Sequence, residues 1–423
     1  MLFHRNRVAP LIEALQSADA ESRQKAYRAL QNLLDRKIHL DEARTALEAA
    51  GAEYPLQESE FDDPQRLLLQ IAAKKPDPTF IPVIERDFGR YSPRAQTAAL
   101  DLLVTISTPN AIQSLCALLA QAEGDTSCLA ALESRTEYAP LLFPTLLTLL
   151  ARQENAHHHF YIARLYLRHV QAGAVPKEVL AESVPYVLAC YDSLASTLMP
   201  QQKPHSMRWI WDDELYMQAR EIAGVLLDLM GYLESPEVRQ RLQAALAYTD
   251  PYLLLYAACS LLRLGESVPH ETLRRIAADA ETRRWLFEYL QRMELAHLFP
   301  EEYRNQAALA ESDMVDWLIF PTELGCPPDE IQLVGVYTIE TGDGLADAYL
   351  FRFRMEGEDW EAGLAGLYPL EEQPLIHGTG DTFSRFDKWQ EYPAEEHVDR
   401  ILDLSGHGYR IVRQVQYVED FAP

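Results

Sequence analysis

The sequence has few cysteines and few glycines. Its five cysteines lie at least twelve residues apart, and no two of them form a CxxC pair; they are Cys116, Cys128, Cys190, Cys259 and Cys326. An odd, scattered set of this kind is typical of buried thiols in a reducing compartment. The 18 glycines are outnumbered by 25 prolines, which indicates many helix starts and turns rather than many strands.

Long apolar runs are also missing. The longest uncharged apolar run covers residues 138–151 and contains Pro140 and Pro144, so it is too short to cross a bilayer. The first residues, Met1 to Arg5, lead directly into a charged amphipathic pattern and do not resemble a signal peptide. We therefore expect a cytoplasmic protein that does not bind membranes.

Positive charge is scarce. The chain carries 38 Lys and Arg against 64 Asp and Glu, a formal net charge of −26. A polyanion of this size repels phosphate backbones and anionic lipid surfaces, which argues against nucleic-acid and membrane binding. A basic protein partner fits this charge better.

Sequence motifs of common enzymes are absent too. The chain contains no HExxH, GxSxG or GxxxxGK[ST] pattern, so we predict no catalytic residue, no cofactor and no metal. Three consecutive histidines, His157 to His159, could attract a metal ion. On a helix, however, they would point in three directions about 100° apart, so we interpret them as structural or surface residues.

The clearest local pattern lies between Ser92 and Gln121. Ser92 is a typical N-cap and is followed by proline at the first helical position. Two apolar stripes with helical spacing follow on either side of a Thr108-Pro109-Asn110 turn, at Ala95, Ala98, Ala99, Leu102, Leu103 and Ile106, and at Ile112, Leu115, Leu118 and Leu119. This pattern predicts two packed amphipathic helices.

Similar helix starts recur at Asp19 and at Asp250-Pro251, with weaker ones such as Asp63-Pro64 and Ser235-Pro236 between them. The starts at residues 19, 92 and 250 are separated by 73 and 158 residues, which is close to two and four units of about 37–40 residues. Residues 1–312 therefore resemble HEAT repeats of the bacterial, lyase-type subclass. The resemblance implies an α-α superhelix with a concave surface for a partner. A helical domain without regular curvature is the alternative.

Composition and periodicity change after Ala310. Residues 313–423 hold 7 Lys and Arg against 23 Asp and Glu, a net charge of −16. Alternating β-branched and aromatic residues predict strands at 331–340, 348–355, 360–368 and 409–417, and a helix at 394–404. We expect a mainly α fold that ends in a small acidic α+β module, with a mainly antiparallel sheet backed by one helix.

Two segments carry candidate partner-binding residues. Residues 199–213 form a predicted loop with Arg208, Trp209 and Trp211; alternatively, the tryptophans staple the next helix, capped by Asp212 or Asp213. Residues 371–393 have no clear periodicity and mix aromatic and acidic side chains. The candidates there are Asp381, Phe383, Phe386, Asp387 and Trp389. These aromatics could anchor a partner or could cover the sheet.

These observations favour a non-catalytic scaffold or adaptor that uses the acidic module to dock a protein partner, and the charge of the chain favours a basic one. A narrower form is an inhibitor of a basic toxin, in the manner of an immunity protein. The alternative from another class is an enzyme or small-molecule binder that uses the 371–393 segment, with His377 and Asp381 as polar groups.

Overall fold

A computed structural model of the protein describes residues 6–55, 62–198, 211–378, 380, 382–406 and 408–416. The chain divides into two compact units, Met1–Ser193 and Leu194–Pro423. The first unit is helical throughout its described part. The second unit contains both helices and a sheet. No helix in the described ranges is long and apolar enough to cross a membrane.

Helices of the first unit begin at the caps that the sequence predicts. Asp19 accepts a hydrogen bond from the backbone N–H of Ser22 at 2.9 Å, and Ser92 accepts one from Ala95 at 3.1 Å. The helices are α1 (Ala9–Leu15), α2 (Ala20–Gln31), α3 (Leu40–Ala50), α4 (Pro64–Ala73), α5 (Ile81–Asp87), α6 (Pro93–Ile106), α7 (Pro109–Leu119), α8 (Ala139–Leu150), α9 (His159–Gln171) and α10 (Lys177–Leu198).

The predicted helix pair between Ser92 and Gln121 is confirmed as α6 and α7. Ser107 adopts the left-handed conformation that ends α6, and Thr108 caps α7 through the N–H of Ala111. Helices close in sequence pack together: α3 contacts α4, α4 contacts α6, and α7 contacts both α6 and α8. The apolar stripes face these contacts, and Leu102 and Leu115 are fully buried.

The helical part of the second unit contains α11 (Glu214–Met230), α12 (Pro236–Ala245), α13 (Pro251–Arg263), α14 (His270–Ala278), α15 (Ala280–Arg292) and α16 (Gln306–Leu318). Asp250 caps α13, as predicted. Helix α14 ends at Ala278, because Asp279 leaves the helical conformation and caps the next helix, α15. Helix α13 packs against α11, α12, α14 and α15.

The sheet of the second unit has five strands, all antiparallel, in the order β4-β3-β2-β1-β5. They are β1 (Glu330–Thr341), β2 (Gly344–Arg354), β3 (Glu361–Pro369), β4 (Phe383–Lys388) and β5 (Arg410–Gln416). Four strands match the predicted segments within a few residues. The description of 371–393 as free of periodic structure is wrong over β4, which forms the edge of the sheet.

Helices cover both faces of this sheet. The helix α17 (Ala394–Leu402) packs on one face, where Val398 and Ile401 join a core that includes Ile339 and Leu350. On the other face, Ala310, Met314 and Leu318 of α16 pack against aromatic residues of the strands, namely Tyr349, Phe351, Phe353 and Tyr368. The expectation of a single backing helix is therefore incomplete.

The close packing of α16 shows at Gly363 in β3. A Cβ atom at this position would lie 2.8 Å from both Sδ and Cε of Met314, so the glycine allows the helix to approach the strand. The predicted division between residues 312 and 313 falls inside α16, whose first residues belong to the same core. The composition change at Ala310 therefore marks the point where a helix joins the sheet.

We expect Met314→Ala to destabilise the second unit by about 2–5 kcal/mol, because Met314 is fully buried between α16 and the sheet. All six tryptophans lie after Leu194, so denaturation followed by tryptophan fluorescence reports on this unit. Leu404→Ala, at a 52% exposed position, is the control and should change the free energy of unfolding by less than about 0.5 kcal/mol. Equal effects would contradict the packing role of α16.

Candidate functional site

The structure describes only some of the binding residues that the sequence predicts. Arg208, Trp209 and Asp381 lie outside the described residues. Trp211 lies just before α11, where the Asp213 carboxylate accepts a hydrogen bond from the N–H of Tyr216 at 3.0 Å. The expected cap is thus Asp213. The remaining predicted residues lie on or next to β4.

The aromatic residues of β4 pack on the protein's own core. Phe383 makes an edge contact with Trp317 at a ring distance of 5.5 Å, and Phe386 makes one with Phe353 at 6.0 Å. Trp389 stacks on His397 of α17 at 5.1 Å. The three side chains are half-buried, so much of their surface already contributes to holding β4 and α17 on the sheet.

Asp387 is also engaged within the protein. Its Oδ2 accepts a hydrogen bond from Arg400 Nε at 3.0 Å, and Arg385 Nε lies 3.4 Å from the same oxygen. Arg400 in turn lies over the ring of Tyr392 at 4.0 Å. Asp387 therefore ties β4 to α17 and has little freedom to meet a partner's cation.

The segment before β4 is held by Asp313 of α16. The Asp313 carboxylate accepts hydrogen bonds from Tyr368 Oη at 2.7 Å, Thr382 Oγ1 at 3.2 Å and the N–H of Gly378 at 3.3 Å. This arrangement makes Asp313 an anchor for the segment and was not predicted from the sequence.

His377 lies next to the buried Arg284. Burial and the adjacent guanidinium lower the pKa of His377, which favours the neutral ring. Glu288 is 3.9 Å from its Nε2, and Arg284 also pairs with Asp316. These contacts give His377 a role in fixing the segment against α15 and α16. They do not arrange it beside a nucleophile, as acid–base catalysis would require.

A different group of residues forms the strongest candidate site, and Arg220 lies at its centre. The Arg220 side chain is only 3% exposed, and its Nε donates a hydrogen bond to Asp250 Oδ2 at 2.8 Å. Its Nη2 donates to Asp250 Oδ1 at 3.3 Å and to both carboxylate oxygens of Glu281 at 2.9 and 3.0 Å. One guanidinium therefore joins α11 to the N-termini of α13 and α15.

Aromatic residues complete this arginine cluster, which we define as Arg220, Asp250 and Glu281 with Tyr252 and Trp211. The guanidinium carbon lies 4.1 Å from the ring centroid of Tyr252 and 5.4 Å from that of Trp211. Among the residues that the structure describes, Nη1 is the one guanidinium nitrogen of Arg220 without a hydrogen-bond acceptor. It is the donor that the cluster leaves for another molecule.

Burial sets the ionisation of the cluster. Desolvation alone would lower the pKa of Arg220, but the charges of Glu281 and Asp250 raise it above its ordinary value. Burial raises the pKa of Glu281 to about 7 despite the attraction of Arg220. Burial likewise raises the pKa of Asp279, which caps α15 beside Glu281. Perturbed carboxylates of this kind are frequent at functional sites.

The cluster forms one wall of a cavity of about 480 Å³ in the second unit. The apolar part of the described lining consists of Trp211, Pro251, Ala280, Val315, Pro327, Pro328 and Ile331. The charged part consists of Arg220, Asp279, Glu281, Asp329, Glu330 and Glu356. Five carboxylates thus face one guanidinium. Among the residues that the structure describes, the lining includes no Ser, Thr, Cys, His or Lys, so this part of the cavity offers acidic and apolar contacts.

Sequence reasoning identified Trp211 and the Asp250 helix start but missed Arg220. A signal for it exists: Arg220 follows Tyr216 by four residues and precedes Ala223 by three, so a charge lies on the apolar stripe of α11. A charge at such a position needs a buried partner. The sequence does not say which of the many carboxylates provides it.

The three consecutive histidines serve as structural residues in the first unit. His158 and His159 are buried, and His159 Nε2 donates a hydrogen bond to the Arg152 carbonyl at 3.1 Å. The Cys190 thiol lies 3.4 Å from His159 Nδ1. Four cysteines are buried and Cys326 is half-buried, all as free thiols. No group of metal-binding side chains occurs within the described ranges.

Comparisons with known proteins do not identify a family. No family model matches the sequence, and no curated protein matches it. A crystal structure of an engineered protein from the Northeast Structural Genomics Consortium is similar at 18% identity and a TM-score of 0.24, over 73% of this chain and 89% of that chain. A score this low carries no argument about fold or function.

We expect Arg220→Gln to destabilise the second unit by roughly 3–5 kcal/mol, because it leaves Asp250 and Glu281 buried without their cation. Denaturation followed by tryptophan fluorescence measures the change. Arg274→Gln is the matched control, since Arg274 pairs with Glu302 in solvent and such pairs contribute about 1 kcal/mol or less. If the two variants were equally stable, the cluster would not have the structural role assigned to it.

The stability of the first unit should fall between pH 6.5 and pH 4. Burial, together with the neighbouring His157, lowers the pKa of His158 from 6.5 to about 4. The unfolded chain therefore takes up a proton at higher pH than the folded chain does. The contribution of neutral His158 is complete above pH 6.5 and is lost as pH falls to 4, a change of about 3 kcal/mol.

His158→Asn should flatten this pH dependence, because asparagine can keep the hydrogen bond to Thr126 but does not titrate. Circular dichroism follows both units, whereas tryptophan fluorescence follows only the second, so the two signals together isolate the first. His270→Asn, at an exposed position of the second unit, is the control. An unchanged pH profile in His158→Asn would refute the assignment.

Proposed function

We propose that the protein is a non-catalytic scaffold that binds a basic protein partner through the acidic outer side of α17. The observation that carries this proposal is a row of exposed carboxylates on and just after that helix, none of which has an ion-pair partner among the described residues. They are Glu395, Glu396, Asp399 and Asp403. We call this surface the α17 acidic face.

Few cations of the same region are free to neutralise this face. Five of the seven Lys and Arg side chains after residue 312 already pair with other carboxylates. These pairs are Arg354 with Glu330, Arg385 and Arg400 with Asp387, Lys388 with Asp359, and Arg410 with Glu340. A sixth, Arg352, lies over the ring of Trp360 at 4.7 Å. The negative charge of α17 therefore remains available to an incoming cation.

Repulsion within the face supports the same proposal. The pKa of Asp399 is raised, first by partial burial and then by the charges of Glu395, Asp403 and Glu396. Such crowding is unfavourable in the free protein, and a cationic partner would relieve it. Complementary charge of this kind raises the association rate and favours partners of opposite charge. Its effect on affinity is smaller.

The face is also held in one orientation. The opposite side of α17 is buried through Val398, Ile401 and Leu402, and His397 Nε2 donates a hydrogen bond to the Trp389 carbonyl at 3.2 Å. Arg400 fixes the helix to Asp387 at 3.0 Å. A surface held in this way loses little conformational entropy on binding.

The helical part of the chain suits a scaffold. We propose that helix pairs such as α6 with α7 and α13 with α14 follow a HEAT-like organisation, which would give this part of the chain a surface for a partner. An inhibitor of a basic toxin is a narrower form of the same function, with the toxin as the partner. It would use the same acidic face.

The full-length protein, used as bait in native lysate at low and moderate salt, should retain a basic protein that is lost as salt rises. Neutralising the α17 acidic face should remove it, because the steering charge is lost. The variant carries Glu395→Gln, Glu396→Gln, Asp399→Asn and Asp403→Asn. Binding of the purified partner should then slow by about tenfold or more at low salt.

The control variant changes net charge equally at exposed positions of the first unit. It carries Glu13→Gln, Asp35→Asn, Glu48→Gln and Glu53→Gln. This variant should retain the partner at nearly the original rate. A partner that is acidic, or one retained equally by both variants, would overturn the proposal.

A further inference from the structure

The cavity beside Arg220 combines three kinds of contact that a single molecular group can satisfy together. It has apolar walls, an excess of carboxylates and one unused hydrogen-bond donor. We propose that it binds an arginine side chain, with its adjoining backbone carbonyl, from a basic peptide segment. This inference rests on the proposed function, because it assigns that segment to the same basic partner.

The charge of the lining selects a cation. Arg220 is already opposed by Asp250 and Glu281, so it presents little net positive charge to the cavity. Asp329 and Glu356 are exposed at the rim and add negative charge there. Of the five lining carboxylates, Glu281 pairs with Arg220 and Glu330 with Arg354. The excess that would repel an anionic ligand therefore comes from Asp279, Asp329 and Glu356. A cation would be drawn in by a field that the low-dielectric walls strengthen.

The apolar walls suit the stem and the flat head of an arginine. Trp211 offers an aromatic ring, and Pro327 and Pro328 line the cavity as well. A guanidinium stacks on an aromatic ring while it donates hydrogen bonds in its own plane, which a lysine ammonium does less well. The propyl stem of arginine would cover the prolines and exclude water from them.

The unused donor distinguishes a peptide from a free amine. Nη1 of Arg220 has no acceptor among the described residues, although the rest of the guanidinium is fully engaged. A backbone carbonyl would satisfy it, whereas a polyamine has no acceptor to offer. The cavity volume of about 480 Å³ falls in the range of small-ligand sites, which leaves room for a side chain and its flanking backbone.

A titration of the full-length protein with short peptides tests the assignment. The probe is acetyl-Gly-Arg-Gly-amide, followed by calorimetry or NMR at millimolar concentrations. The same peptide with citrulline in place of arginine keeps the shape but removes the charge. Propylguanidine keeps the guanidinium and its single charge and lacks the carbonyl. We expect the arginine peptide to bind about tenfold more tightly than either of them.

Variants locate the binding in the cavity. Trp211→Leu should weaken the arginine peptide by about tenfold, and Glu356→Gln by about threefold, because each removes one contact at the rim or wall. Glu358→Gln is the matched control, since Glu358 is exposed on the same turn and does not line the cavity. It should leave the affinity within about twofold of the original.

The outcomes separate this inference from the proposed function. Equal binding of the citrulline peptide or of propylguanidine, or no binding of the arginine peptide, would overturn the arginine site. A partner that is retained from lysate and is unaffected by Trp211→Leu and Glu356→Gln would leave the proposed function standing without this site. A peptide that binds as expected while lysate yields no basic partner would support the site and overturn the proposed function.

Discussion

The second unit depends on a buried charge that three helices share. Arg220 of α11 pairs with Asp250 before α13 and with Glu281 in the first turn of α15, and its side chain is almost fully excluded from water. Each carboxylate lies where a helix begins and where unsatisfied N–H groups favour negative charge. Asp250 also caps α13 through the N–H of Tyr252. The arginine thus neutralises the carboxylates that start two helices, and its removal would affect both helices together.

The packing of the sheet limits where a partner can bind. Helix α16 covers one face and α17 covers the other, so the centre of the sheet presents no open surface. The aromatic residues near β4, which resemble an exposed anchor in the sequence, contribute to these two cores. The outer side of α17 and the cavity beside Arg220 remain accessible. Both are acidic, which is why the proposed partner is a basic protein. The two proposals concern different parts of the surface.

Local signals predicted much of this fold. Asp19, Ser92 and Asp250 were predictable as caps because a short polar side chain before an apolar stripe is a typical helix start. Four strands were predictable from their alternating β-branched and aromatic residues. Strand β4 was missed because its residues are half-buried on both sides and because Phe386 takes a positive φ, so the alternation is interrupted. Helix α16 was divided because charge composition changes along its length. Arg220 was missed because its partners lie 30 and 61 residues away, and only the packed helices bring them together.

The raised pKa of Glu281 invites a catalytic interpretation, but the geometry favours binding. A general acid or base needs an oxygen free to exchange a proton with a substrate, whereas both oxygens of Glu281 accept hydrogen bonds from Nη2 of Arg220. Its pKa is raised chiefly by burial, which any carboxylate in this position would experience. Asp279 is likewise engaged, as the cap of α15. A cation entering the cavity would favour the ionised form of Glu281 and offset part of its desolvation. Burial thus destabilises the ionised carboxylates of the free cluster, and the same burial strengthens their attraction for a basic ligand.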